Sequence, residues 1–149
     1  MNRHPRLAAL LLLLLFAFSC SPALAQQPAP IPGLGQVSEE AVQWLAELLR
    51  INTTNPPGNE LAAAKYLAEI LEKEGIPAEV IESAPGRGIV IARLRSSVVP
   101  DPSRALLLLG HIDVVGVQKE KWSVAPFGGV IKATYLYGRG ASDDKGMVL

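Results

Sequence analysis

Ala105-Leu106-Leu107-Leu108-Leu109 is an uninterrupted apolar run that stops at Gly110-His111-Ile112-Asp113. A run of this length without alternation is the pattern of a strand covered on both faces. Such a strand needs layers above and below it, which commits the chain to a layered domain, and the helical periodicities upstream make that domain α/β. A second piece, Leu136-Tyr137-Gly138-Arg139-Gly140-Ala141-Ser142-Asp143-Asp144-Lys145-Gly146, has the same design, an apolar stretch giving way to glycines and ionisable groups. In open α/β sheets ligands gather beyond the carboxyl ends of strands. These two strand ends are therefore where chemistry is expected.

The residues before them read as delivery and scaffold. Asn2, Arg3, His4 and Arg6 precede the apolar block Leu7–Phe18, and Pro22-Ala23-Leu24-Ala25 follows it. A basic start, a dozen apolar residues and a small-x-small ending make a secretory signal peptide, residues 1–25, and the block is short for a membrane span. The alternative is a retained lipoprotein anchor at Cys20, but Ala17 stands three residues before it where a lipobox usually has Leu. The chain is thus expected to be exported, to the periplasm or outside the cell.

Removing 25 of the 149 residues takes away the only Cys, one of two His and two of 14 basic residues, but none of the 14 acidic ones. The remaining 124 residues carry 12 basic and 14 acidic side chains, a net charge of −2. With no basic stripe, nucleic acid is not an expected partner. No disulfide framework is possible, and stability has to come from the core or from a ligand.

Gln26–Gln36, rich in Pro, Gly and Gln, reads as a flexible tether, and the folded part is expected from residue 38. Ser38 offers an N-cap, with Glu39 and Glu40 in the first turn. Ala41, Val42, Leu45, Leu48 and Leu49 share one helical face. Asn52–Asn59 (NTTNPPGN) breaks that helix. A second helix follows, with Leu61, Ala64, Leu67, Ala68 and Leu71 as its buried stripe and Gly75 and Pro77 at its end. Strands are expected over 78–82, 88–94 and 105–109, and a strand or hairpin over 130–137. No internal repeat is present.

His111 lies just past the apolar run, and Asp113 points to the same side if the chain stays extended. A metal-ligating histidine commonly donates its other ring N–H to a carboxylate, the place Asp113 could fill. The alternative is a surface loop histidine near an acid. Asp143 and Asp144 repel one another unless a cation or proton separates them. A carboxylate can also bridge two metal ions, as two-metal hydrolases require. The alternative there is an ordinary turn with Asp as N-cap of a helix starting near Lys145, and the two roles are compatible.

GHIDVV, then WSVAPFGG, then LYGRGASDDKG resembles the N-terminal part of the M20 family of zinc-dependent metallopeptidases and amidohydrolases, which includes carboxypeptidases, dipeptidases, aminoacylases and succinyl-diaminopimelate desuccinylase. INTTNPPGNE and AAKYLAEILEKEGI resemble its helical approach, so the likeness covers residues 38–149. The resemblance implies the N-terminal part of a three-layer α/β/α zinc-hydrolase catalytic domain, truncated at residue 149. His111 would ligate one zinc, Asp113 would be the catalytic-site acid that holds its imidazole, and Asp143 would bridge both zincs. The peptide bond after Asp143 would be cis, with Asp144 structural. Arg139 would tether the loop, and Trp122 and Phe127 would serve in packing.

In the complete enzyme two zinc ions (cobalt or manganese being possible substitutes) would polarise an amide carbonyl and acidify a water, whose proton a glutamate would pass to the leaving amine. The substrate would be a small peptide or an N-acyl amino acid, and the full-length protein a possible homodimer. The family's Glu-Glu pair, later acidic ligand and last histidine have no counterpart here, so the 149-residue chain is expected to bind zinc weakly and to be inactive alone. Two departures stand out: Gly116 where Pro is frequent, and Lys132-Ala133-Thr134 in place of Asp-Gly, from which a longer or irregular hairpin is expected. The competing reading is a non-catalytic secreted α/β binding module. A dinucleotide-binding fold is a poor third, because Gly138-x-Gly140 lacks the third glycine.

Overall fold

The computed structural model describes residues 34–98 and 101–149. The proposed signal peptide and most of the tether lie outside the described residues. Two helices come first, α1 over Leu34–Arg50 and α2 over Glu60–Lys73. Helix α1 begins one turn ahead of the expected cap at Ser38. Leu48 and Leu49 are fully buried, whereas Val42, expected on the same face, is exposed. On α2 the buried residues are Glu60, Ala63, Ala64, Leu67, Ala68 and Ile70, whereas Leu61 and Leu71, expected in the buried stripe, are half-buried. Its C-terminus closes as a Schellman turn: Gly75 takes φ +75°, the Ile76 N–H donates to the Leu71 carbonyl at 2.8 Å, and the Gly75 N–H donates to Glu72 at 3.0 Å.

Strands β1 (Ala78–Ala84) and β2 (Arg87–Ala92) form an antiparallel hairpin, with Val80 opposite Val90 and Ile81 opposite Ile89. One face of the hairpin lies on α2. Gly88 is pressed against the backbone of Leu61, an approach a side chain would prevent. The hairpin turn also serves the helix: the Gly86 carbonyl accepts the Leu61 N–H at 2.9 Å, and Arg87 pairs with the buried Glu60 at 2.6 Å. A second, separate hairpin joins β3 (Val130–Lys132) to β4 (Tyr135–Tyr137).

Two expectations need correction. Ala105–Leu109 is not a strand among the described residues, and Leu106–Leu109 are 81–91% exposed. A doubly covered strand exists only through its neighbours. The described hairpins pair only within themselves, and Ala105–Leu109 joins neither of them. The β3–β4 hairpin is also tighter than Lys132-Ala133-Thr134 suggested, since Lys132 pairs with Tyr135 across a two-residue turn. That turn puts Ala133 at φ +53°, a left-handed conformation in which glycine is the usual residue. The last element is the single turn α3, Lys145–Val148. No helix among the described residues is long and apolar enough to cross a membrane.

Candidate metal-binding site

The site begins at the end of α1. After Arg50 the chain turns away, and residues 53–55 run alongside residues 112–114 as a short parallel bridge, Thr54 to Val114. The Val114 N–H donates to the Thr53 carbonyl at 3.1 Å, and the Asn55 N–H donates to the Val114 carbonyl at 2.9 Å. The fully buried Thr53 hydroxyl adds a 2.6 Å bond to the carbonyl of Ile112. These bonds dock the segment after the leucine run onto the helix pair, with Val114 in the core.

His111 and Asp113 are carried on that segment. His111 Nδ1 lies 3.1 Å from Asp113 Oδ1 and 3.2 Å from the Asp113 carbonyl. Its Nε2 lies 3.1 Å from Asp143 Oδ1. Each ring nitrogen therefore faces a carboxylate, an arrangement that suits the imidazolium. Burial alone would depress the pKa of His111. The Asp113 carbonyl, the Asp143 carboxylate and the charges of Asp113 and Asp144 outweigh that effect and raise it above the ordinary imidazole value. Asp113 moves the other way. The side-chain amide of Asn55, donating to Asp113 Oδ2 at 3.1 Å, and the charge of His111 hold its carboxyl below the usual range against the opposing effect of burial.

Asp143 and Asp144 come from the other strand end. The peptide bond between them is cis, as the resemblance led one to expect. Asp143 is 89% exposed, with its carboxylate directed at the imidazole. Asp144 occupies the N-cap position of α3, but its side chain makes no cap bond. Its Oδ2 instead accepts the backbone N–H of His111 at 3.2 Å, tying the two strand ends together.

Glycines allow this closeness. A Cβ on Gly110 would meet Asp144 Oδ2 at 3.0 Å, and one on Gly140 (φ +94°) would meet Val114 Cγ1 at 2.8 Å. Lys145 points inward and is fully buried. Its ammonium donates to the carbonyls of Leu48 at 3.0 Å and Ile51 at 2.7 Å, capping the C-terminal end of α1. Burial pushes its pKa down to about 8. Arg139 is held by its backbone N–H, which donates to the Pro126 carbonyl at 2.7 Å, and by its guanidinium, 5.3 Å from the Trp122 ring centre.

His111, Asp113 and Asp143, separated by up to 32 residues, thus come together in one place. Sequence reasoning missed Asn55, which reads as one more helix breaker in Asn-Pro-Pro, and Thr53. Only their register against residues 112–114 reveals what they touch. Imidazole nitrogen and carboxylate oxygen are suitable donors for zinc and its neighbours in the first transition series. Two donors do not complete a coordination sphere, and among the described residues no three such side chains are placed to hold one ion together.

A mixed helix–strand scaffold thus presents a histidine backed by Asp113 to a second carboxylate, that of Asp143. Residues 107–149 match the family model of Peptidase family M20/M25/M40. Over 109 residues the chain is 33% identical to a probable succinyl-diaminopimelate desuccinylase of Staphylococcus aureus, covering 72% of this chain and 26% of that protein. It is 36% identical over 107 residues to aminoacylase-1 of Sus scrofa, covering 70% of this chain and 26% of the relative. Among solved structures it is similar to an M20 family metallo-carboxypeptidase, Sso-CP2, from Sulfolobus solfataricus. The TM-score is 0.62 at 32% identity, over 73% of this chain and 24% of the other. The chain belongs to the M20 family, and it spans about a quarter of the length of these relatives.

Proposed function

We propose that this chain provides the first part of a metal-dependent amide-hydrolase centre, in which His111 Nε2 and a carboxylate oxygen of Asp143 hold metal and Asp113 orients the imidazole. The observation that carries the reading is the 3.1 Å approach of His111 Nε2 to Asp143 Oδ1, with Asp113 directly behind the ring. The Asp113 carboxylate keeps the proton on Nδ1 and leaves Nε2 as the ligating nitrogen. The second oxygen of the exposed Asp143 leaves room for a bridge to a second ion. A bound zinc, or cobalt or manganese in its place, would supply Lewis-acid polarisation of an amide carbonyl.

The relatives' names refer to a desuccinylase and an aminoacylase, and the structural neighbour's to a carboxypeptidase. Hydrolysis of a C–N amide bond in an N-acyl amino acid or small peptide is the chemistry common to those names, and we assign it to the full-length protein. Export directed by residues 1–25 and a homodimeric full-length protein belong to the same proposal. With two donors in place, the 149 residues alone should bind zinc weakly and lack hydrolytic activity.

The test is hydrolysis of N-succinyl and N-acetyl amino acids and of dipeptides by the full-length protein with Zn²⁺, alongside His111→Ala and Asp143→Ala. Each substitution should lower metal affinity and reduce kcat at least a hundredfold. Activity of either variant equal to that of the unmodified protein would overturn the assignment. Metal binding without turnover of any amide would favour the non-catalytic binding module.

A further inference from the structure

We infer that Asn55 is a positioning residue for the metal-ligating histidine: it fixes the Asp113 carboxylate, which in turn fixes the imidazole. The inference rests on the metal-ligating role proposed for His111. Asp113 is engaged at both oxygens, Oδ1 with His111 Nδ1 at 3.1 Å and Oδ2 with Asn55 Nδ2 at 3.1 Å. A carboxylate held at both ends cannot rotate about its terminal torsion without losing one of the two bonds. With Oδ2 free, the carboxylate could turn and the ring with it. The amide nitrogen of Asn only donates, and Asp113 Oδ2 is the acceptor it meets.

Asn55 is itself held in place. Its backbone N–H donates to the Val114 carbonyl at 2.9 Å, and the neighbouring Thr53 hydroxyl is bonded to Ile112 at 2.6 Å. The positioning amide and the positioned carboxylate thus ride on paired segments with a fixed register. The loop does not need the Asn55 side chain for its own turn. Asn52 serves there, its Oδ1 accepting the Thr54 N–H at 3.0 Å and the Thr54 hydroxyl at 2.7 Å. Asn55 and Asn52 occupy the same loop, yet one faces the site and the other faces the loop. That makes Asn52 the control.

The experiment titrates the metal-free full-length protein with Co²⁺ alone and follows its visible absorption, for the unmodified protein, Asn55→Leu, Asn52→Leu and His111→Ala. Leu is close to Asn in shape and has no donor. Asn55→Leu should lose ten- to hundredfold in Co²⁺ affinity, the usual effect of removing a partner behind a metal ligand. Its absorption band at saturating metal should also shift, because the imidazole is reoriented. Asn52→Leu should keep the band unchanged and lose less than threefold. If Asn55→Leu does not fold, Asn55→Ser, whose hydroxyl is too short to reach Asp113, replaces it with the same expected loss.

Unmodified affinity and spectrum in the Asn55 variant, with weak binding by His111→Ala, would overturn the positioning role and leave the metal site standing. Equal losses in the Asn52 and Asn55 variants would overturn it as well, by assigning the effect to the loop. Unmodified Co²⁺ binding by His111→Ala would overturn the metal site itself.

Discussion

At the scale of residues, the site shows how little of a side chain's work is visible in its type. His111 and Asp113 are two positions apart in an extended segment, and their pairing follows from that spacing. Asn55 reaches the same carboxylate from 58 positions away, and nothing in Asn-Pro-Pro announces it. Ala133 is the reverse case, a residue whose type conflicts with its place. At φ +53° its Cβ crowds the neighbouring carbonyl, a left-handed strain of about 1–2 kcal/mol that glycine would escape. Glycine also loses more chain entropy on folding, so Ala133→Gly should stabilise the chain by about 0.5–1 kcal/mol. Chemical denaturation would read this as a higher midpoint at unchanged slope. A lower midpoint would show that the two-residue turn is not the one adopted.

At the scale of elements, the C-terminal end of α1 is what the two strand ends share. Thr53 and Asn55 just beyond the helix hold residues 112–114, and Lys145 reaches back to the carbonyls of Leu48 and Ile51. The buried ammonium donates to the carbonyls of Leu48 and Ile51 where α1 ends, and its positive charge suits that end of the dipole. Its surroundings nevertheless disfavour the charge, and the pKa falls to about 8 from an unfolded value near 10.5. Between those two values the unfolded chain binds more protons than the folded one. Stability should therefore rise with pH from about 8 to about 10.5, by at most about 3 kcal/mol, and the full penalty applies below 8. Lys145→Met should abolish this rise and take from the Ile51 carbonyl its donor, at a cost of about 1–3 kcal/mol. Denaturation midpoints at pH 7.5 and pH 10 for the two proteins measure both effects, and an equal rise in the variant would assign it to another group.

At the scale of the molecule, Leu106–Leu109 is the feature that stands apart. Four consecutive leucines, each more than four-fifths exposed, carry the sequence pattern of an interior strand without an interior around them. In the 149-residue chain Leu107→Ala should change stability by less than about 0.5 kcal/mol, because little apolar surface is lost from the core. In a full-length protein that covers this run with further strands and helices, the same substitution should cost about 2–5 kcal/mol. Equal effects in the two contexts would show that the run stays exposed in both.

The sequence by itself determined the local parts. Helical periodicity placed α1 and α2, Gly75 marked where α2 closes, alternation placed β1 and β2, and His111, Asp113 and Asp143 stood out as ionisable groups among glycines at the ends of apolar runs. These depend on backbone preferences and on contacts within a few residues, which composition and spacing carry. The tertiary structure alone decided the rest. It brought His111 Nε2 to Asp143, set Asn55 behind Asp113, turned Lys145 inward onto α1 and left Ala105–Leu109 outside every sheet among the described residues. Each of these depends on which distant segment a group meets, and a strand or a donor set exists only when that partner is present.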